Sequence, residues 1–132
     1  MTDADRPLWT PSTEQIKAAA LTAFRKKAAQ RAGYPLDDYA SLWQWSVGAP
    51  ADFWRLMWMF GDVIGEPGEA VLINGDRMPG ARWFPQARLN YAENLLRQRD
   101  ETDALVFWGE DQVQRRMSRT ALYAEVSRRH WA

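Results

Sequence analysis

The sequence has no cysteine and one histidine, His130. Disulfides, thiolate metal sites and cysteine nucleophiles are thereby excluded. A histidine with no second imidazole or thiol beside it makes neither a metal site nor a nucleophile–base pair. Charge of one sign is also lacking, since 17 Lys and Arg balance 17 Asp and Glu. A nucleic-acid binder needs a basic surface to neutralise phosphates, so nucleic acid is not an expected partner. The pairs Arg115–Arg116 and Arg128–Arg129 read as solvated faces. No apolar run approaches the roughly 18 residues of a membrane span. The opening MTDADRPLWTP lacks the charged and apolar regions of a secretory signal. A cytoplasmic location with no membrane partner is expected.

Glycines are scattered. Gly61, Gly65, Gly68, Gly75 and Gly80 are spaced too loosely for a phosphate cradle. Carboxylates pair at Asp37–Asp38, Glu66 with Glu69, and Glu110–Asp111. Such pairs could hold Mg²⁺ or exchange protons, but these lie at a helix start, in a loop and at a turn tip, where acids are common. No catalytic, cofactor-binding or metal-binding residue is assigned.

Aromatic residues, by contrast, are abundant. Eight tryptophans in 132 residues imply a dense aromatic core or a surface that meets a partner. TPSTEQIKAAALTAFRKKAAQRAG predicts one long amphipathic helix, with caps available at Thr10 or Ser12–Gln15 and a stop at Gly33. Its apolar face is Ile16, Ala20, Ala23, Phe24 and Ala28. Asp37 and Asp38 start a short helix with a Tyr39, Leu42, Trp43 stripe. PADFWRLMWMFG predicts a third helix from Pro50 in which only Arg55 is polar between Phe53 and Phe60. A helix apolar nearly all round must be covered on several sides.

The Gly- and Pro-rich stretch from Gly61 reads as a loop with a short strand at Ala70–Ile73 and a turn at Asn74–Gly75. In ARWFPQARLNYAENLLRQRD, Asn90 and Glu93 mark a helix start, and Pro85 favours an extended Phe84. DALVFWGEDQVQRRMS predicts a hairpin turning at Gly109–Asp111, and Ser118 can cap a last helix carrying Leu122, Val126 and Arg129. The expected fold is an α+β fragment: a mainly helical region of three to four helices over 1–102, then a hairpin and partial helix over 103–132.

Taken together, LWTPS, YASLWQWSVGAPADFWRLMWMFGDVIG, RWFPQARLNYAENLLR and RTALYAEV resemble the N-terminal segment of the acetoacetyl-CoA synthetases, in the adenylate-forming acyl-CoA ligase superfamily. The likeness runs from about Leu8 to Val126. Leu96–Arg97 stands where acetyl- and propionyl-CoA synthetases usually continue with Asp-Arg-His, which favours acetoacetate. The resemblance implies an enzyme using ATP, Mg²⁺ and CoA, with its nucleotide-binding and catalytic motifs outside this chain. Residues 103–132 would begin a truncated AMP-binding domain, broken off at SRRHWA. By itself the chain is then expected to be inactive and to bind no cofactor.

Its expected partner is the missing ligase core, in cis or in trans, with self-association through exposed apolar surface. The expected docking residues are Trp45, Phe53, Trp54, Trp58, Trp83, Phe84, Asn90 and Asn94, with the two asparagines bonding core backbone. Two other readings stay open: a free-standing Trp-rich module that docks on a separately encoded core, and a small aromatic domain that stacks on a sugar or peptide.

Overall fold

The computed structural model describes residues 7, 9–110 and 112–130, apart from the His130 side chain. The chain forms two compact units. The first runs through Val63 and includes Pro67–Gln86; the second joins Ile64–Glu66 to the chain from Ala87 onward.

The first unit holds helices α1 (Thr13–Ala18), α2 (Ala20–Ala32), α3 (Tyr39–Gly48) and α4 (Pro50–Phe60). Ser12 and Gln15 form a reciprocal capping box that starts α1. The single long helix expected here is broken at Ala19, which is extended at ψ 135°. The Thr22 hydroxyl donates to the Ile16 carbonyl at 2.6 Å. That acceptor would otherwise receive the Ala20 amide, so a side chain competes locally with the helix ladder. Of the expected apolar face, Phe24 and Ala28 are buried, whereas Ile16 and Ala23 face solvent. α2 ends at Gly33, whose φ of 80° suits a residue without Cβ.

Asp38 caps α3 by accepting from the Ser41 amide, and the Ser41 hydroxyl accepts from the Asp38 amide. The Ser41 amide first, and then the Ser41 hydroxyl, hold the Asp38 carboxyl below its ordinary value of 3.8. The buried line of α3 is Leu42 and Trp45, not the expected Tyr39–Leu42–Trp43 stripe. Trp45 meets the edge of Phe53 at 6.0 Å, which turns Tyr39 and Trp43 outward.

Helix α4 begins on Pro50, where the missing N–H costs nothing. Its Phe53 and Phe60 rings approach Phe24 edge-on at 5.6 and 5.2 Å. With Ala28, Leu36, Leu42, Trp45 and Leu56, Phe24 forms the core of this unit. Arg31 donates twice to one carboxylate oxygen of Asp52, tying the end of α2 to the start of α4. Both partners are about half exposed, so the pair contributes only about 0.2–1 kcal/mol.

Strands β1 (Leu72–Ile73) and β2 (Arg82–Trp83) pair antiparallel, Leu72 opposite Trp83. β2 was not expected, because its two residues carry no alternation to read. Phe84 is not extended as Pro85 suggested: its φ is 41°. Its amide donates to the Val71 carbonyl at 2.8 Å and its ring lies 5.0 Å from that of Trp58. Tertiary contacts therefore override the local preference, in a region that costs about 1–3 kcal/mol. The segment before β1 is held by side chains. Arg55 donates to the Gly68 and Glu69 carbonyls, and Gln86 Oε1 accepts from the Glu69 and Ala70 amides.

The second unit holds α5 (Tyr91–Leu95), the antiparallel hairpin β3 (Asp103–Trp108) and β4 (Gln114–Ser118), and α6 (Arg119–His130). The hairpin and the Ser118 cap on the Ala121 amide follow the sequence expectation, although Asp111 of the turn lies outside the described residues. Asp100 joins the start of β3 to α6. Its carboxylate accepts from the Thr102 amide and hydroxyl and from Arg119, and its carbonyl accepts from the Thr120 amide. The Thr102 bonds, followed by the Arg119 charge, hold this carboxyl below 3.8.

A depressed pKa stabilises the fold above the ordinary value and ceases to as pH falls below it. Circular dichroism of the second unit's elements should therefore be level from neutral pH down to about 4 and fall below 3.8. In Asp100→Asn, which has no titrating carboxylate, the Asp100 component of that fall should vanish. An unchanged acid transition would show that this junction contributes nothing.

Candidate functional site

The expected docking residues are dispersed. Trp45 is buried in the helical core and Phe53 is half-buried against it. Trp58 and Phe84 lie against each other with their rings tilted by 43°, both half-buried. Trp54 and Trp83 meet edge to face at 5.6 Å and remain 44% and 46% exposed. That exposed pair is the candidate docking surface on this side of the first unit.

The two asparagines bond within the second unit. Asn90 Oδ1 accepts from the Glu93 amide and caps α5. The Asn94 amide accepts from the Ile64 N–H and donates to the Ile64 carbonyl, both at 2.8 Å. It thereby imitates a peptide group of a paired strand. Next to it, Glu66 and Arg88 exchange backbone bonds of 2.8 and 2.9 Å. Gly65 lies between, where a Cβ would fall 2.7 Å from the Arg88 carbonyl.

Apolar surface is also exposed beyond the expected docking residues. On α3, Tyr39, Trp43 and Val47 point outward. Tyr39 and Trp43, with Leu21, Phe24, Phe53 and Met57, line an apolar groove of about 370 Å³. The outward turn of α3 follows from Trp45 winning the core position, a choice that periodicity alone leaves open. On the hairpin, Leu105, Val106, Phe107 and Trp108 are all more than half exposed. Adjacent strand residues point to opposite faces, so β3 is apolar on both.

The charged pairs make no site. Arg128 and Arg129 both engage Glu125, and those bonds hold its carboxyl below 4.5. Arg116 pairs with Asp103 across the hairpin. Among the described residues no three acidic or imidazole side chains converge on a position that could hold a metal. No helix is long and apolar enough to cross a membrane, among the residues described.

The family described as acetyl-coenzyme A synthetase N-terminus matches residues 39–95, which carry α3, α4, the β1–β2 pair and α5. The acetoacetyl-coenzyme A synthetase of Rhizobium meliloti is 46% identical over 95% of this chain and 19% of that protein. The acetoacetyl-CoA synthetase of Gallus gallus is 34% identical over 70% of this chain and 14% of its own length. The solved acetoacetyl-CoA synthetase from Streptomyces lividans superposes with a TM-score of 0.69 at 40% identity, covering 86% of this chain and 18% of that structure. The chain thus spans less than a fifth of the relatives it matches. By sequence and by fold, it corresponds to the N-terminal region of the acetoacetyl-CoA synthetases, in the acyl-CoA ligase family.

Proposed function

We infer that this segment is the structural N-terminal part of an ATP-dependent acetoacetate–CoA ligase, and that its work is to dock on the adenylate-forming core. In the whole enzyme the acid's carboxylate would attack ATP, releasing diphosphate, and the CoA thiol would then displace AMP from the acyl-adenylate. ATP, Mg²⁺ and CoA belong to that whole enzyme. The residues described here supply no metal-holding cluster and no glycine-rich phosphate cradle, so no step is assigned to them. Residues 103–132 would begin the AMP-binding domain, and the setting would be cytoplasmic.

One observation carries this reading: no described residue of the second unit is buried. A hairpin and a helix whose apolar side chains are at best half-buried lack a core of their own, and isolated hairpins are marginal in water. Exposed apolar surface of this kind normally meets a partner. The same reasoning applies to Trp54 and Trp83, whose exposed rings would be covered by the core.

Acetoacetate- and CoA-dependent AMP release is the test. The 132-residue chain should show none, while the chain joined to the remainder of the Rhizobium meliloti relative should be active. Trp54→Ser with Trp83→Ser should then destabilise the joined protein more than the chain alone. Equal effects in both would remove the docking role of that pair. Docking in trans on a separately encoded core is the second form of the same reading. Activity restored by mixing, without covalent joining, would select it.

A further inference from the structure

We propose that Asn74 is a site of self-modification, at which the side-chain amide is lost and the residue becomes aspartate or isoaspartate. The reaction needs water and the local turn, with no enzyme and no partner. It goes beyond the docking role inferred above and does not rest on it.

The step is confined to two residues. The Gly75 backbone nitrogen, having given its proton to hydroxide, attacks Cγ of Asn74. A C–N bond forms, the Cγ–Nδ2 bond breaks, and ammonia leaves after taking a proton from water. The product is a five-membered succinimide, which water opens at either carbonyl. Opening at Cγ gives aspartate on an unchanged backbone. Opening at the backbone carbonyl gives isoaspartate, whose chain runs through the former side chain and is longer by one methylene.

Three conditions favour the attack: an accessible side-chain amide, a following nitrogen not held by a hydrogen bond, and no bulk on the following residue. The three asparagines of the chain, Asn74, Asn90 and Asn94, differ in these respects. Asn90 accepts from the Glu93 amide and is followed by Tyr91. Asn94 is bound to Ile64 through both its amide atoms, donates to the Asn90 carbonyl at 2.9 Å, and is followed by Leu95. Asn74 alone is followed by glycine.

The turn supplies the rest. Residues 74–81, which connect β1 to β2, are all exposed. The Asn74 carbonyl accepts from the Arg77 N–H at 3.0 Å, which fixes the reversal of the chain. Its side chain bonds to no other described residue, and the Gly75 N–H donates to none. The Asn74 φ of 54° lies in the left-handed region, which asparagine enters more readily than most residues. Conversion would place a new negative charge two residues from Asp76. In the isoaspartyl form it would also lengthen the connection that sets Leu72 opposite Trp83.

Peptide mapping by mass spectrometry tests this on the 132-residue chain, held in warm, mildly alkaline buffer with and without urea. Aspartate and isoaspartate should accumulate at Asn74 at least about tenfold faster than at Asn90 or Asn94. The native rate should lie within about tenfold of the rate in urea, since an exposed turn opens at little cost. Gly75→Ala should slow conversion by about tenfold, because the added Cβ hinders the attacking nitrogen. Gly75 is not in the left-handed region, and the new methyl would meet the Leu72 Cδ2 at 2.6 Å, the end of a side chain that can turn away. Read in urea as well, that comparison does not depend on folding.

An Asn74 that converts in urea but stays intact in the native chain would overturn the proposal, because the turn would then protect it. Equal conversion of Asn74, Asn90 and Asn94 in the native chain would overturn it too, since the fold would then select no site.

Discussion

Phe24→Ala is expected to unfold the helical unit. Phe24 is 4% exposed and is the one ring that both Phe53 and Phe60 approach edge-on. Truncating a buried Phe costs about 3–5 kcal/mol, from lost transfer energy and from the cavity left behind. Small domains have only about 5–15 kcal/mol to lose, and units of this size lie at the low end. Urea unfolding followed by helical circular dichroism should show the midpoint displaced to near zero denaturant. Leu21→Ala is the internal control. Leu21 lies three residues earlier on the same helix but is half exposed, and its loss should change stability by about 0.5 kcal/mol or less. Similar effects from the two substitutions would mean that the aromatic cluster is not the core.

The second large effect is expected from Gly65→Ala. Gly65 has a φ of 150°, a conformation that L side chains rarely adopt, and its missing Cβ makes room for a neighbouring strand. An added methyl would meet the Arg88 carbonyl and the Leu89 Cβ, each at 2.7 Å. Neither can retreat, because Arg88 is held by its two bonds to Glu66 and the preceding residue, Ile64, is held by Asn94. Backbone strain and the parting of this bridge together cost about 2–4 kcal/mol. The Ile64 and Glu66 amides should lose their exchange protection, while the Phe24 cluster keeps its own stability. Gly33→Ala is the comparison: φ is 80° there, but nothing lies within 4 Å of a built Cβ, so only the conformational cost of about 1 kcal/mol applies.

Much of this fold was legible in the sequence where local chemistry and tertiary packing agree. The Ser12–Gln15 box, the Asp38 and Asn90 caps, Pro50 at the head of α4 and Gly33 at the end of α2 all stand where their residue types placed them. Failures occurred where a side-chain bond or a distant partner decides. The break at Ala19 depends on the Thr22 hydroxyl reaching Ile16, and no apolar periodicity reports a side-chain bond of that kind. On α3, a stripe through Tyr39 and one through Trp45 are both compatible with a helix, and the Phe53 ring selects the second. The left-handed Phe84 and the two-residue β2 depend on Val71 and Leu72, more than ten positions earlier in the chain.

Exposed aromatic surface was legible in the sequence in kind more than in detail. The tryptophan count allowed either a dense aromatic core or a partner surface, and the structure divides them: Trp45 is buried, whereas Trp43, Trp54, Trp83 and Trp108 are exposed. Which rings remain outside was not readable, because Trp45 and Trp54 lie in equally apolar contexts. Asn94 was singled out as a backbone-bonding side chain. Its actual acceptor and donor, Ile64, is 30 residues away within the same unit. Spacing carries no signal for such a clasp. The unbroken run from Leu105 to Trp108 did carry one, since a strand without polar alternation must be covered on both faces.

The most direct test is sedimentation velocity of the 132-residue chain across a concentration series, beside the same chain joined to the remaining synthetase. If the exposed aromatic and β3 surfaces are docking surfaces, the chain alone should associate progressively with concentration and the joined protein should sediment as one discrete species. A chain that stays a monomer at every concentration and also melts in one cooperative transition would contradict the account, because a self-sufficient domain has no need of a covering core.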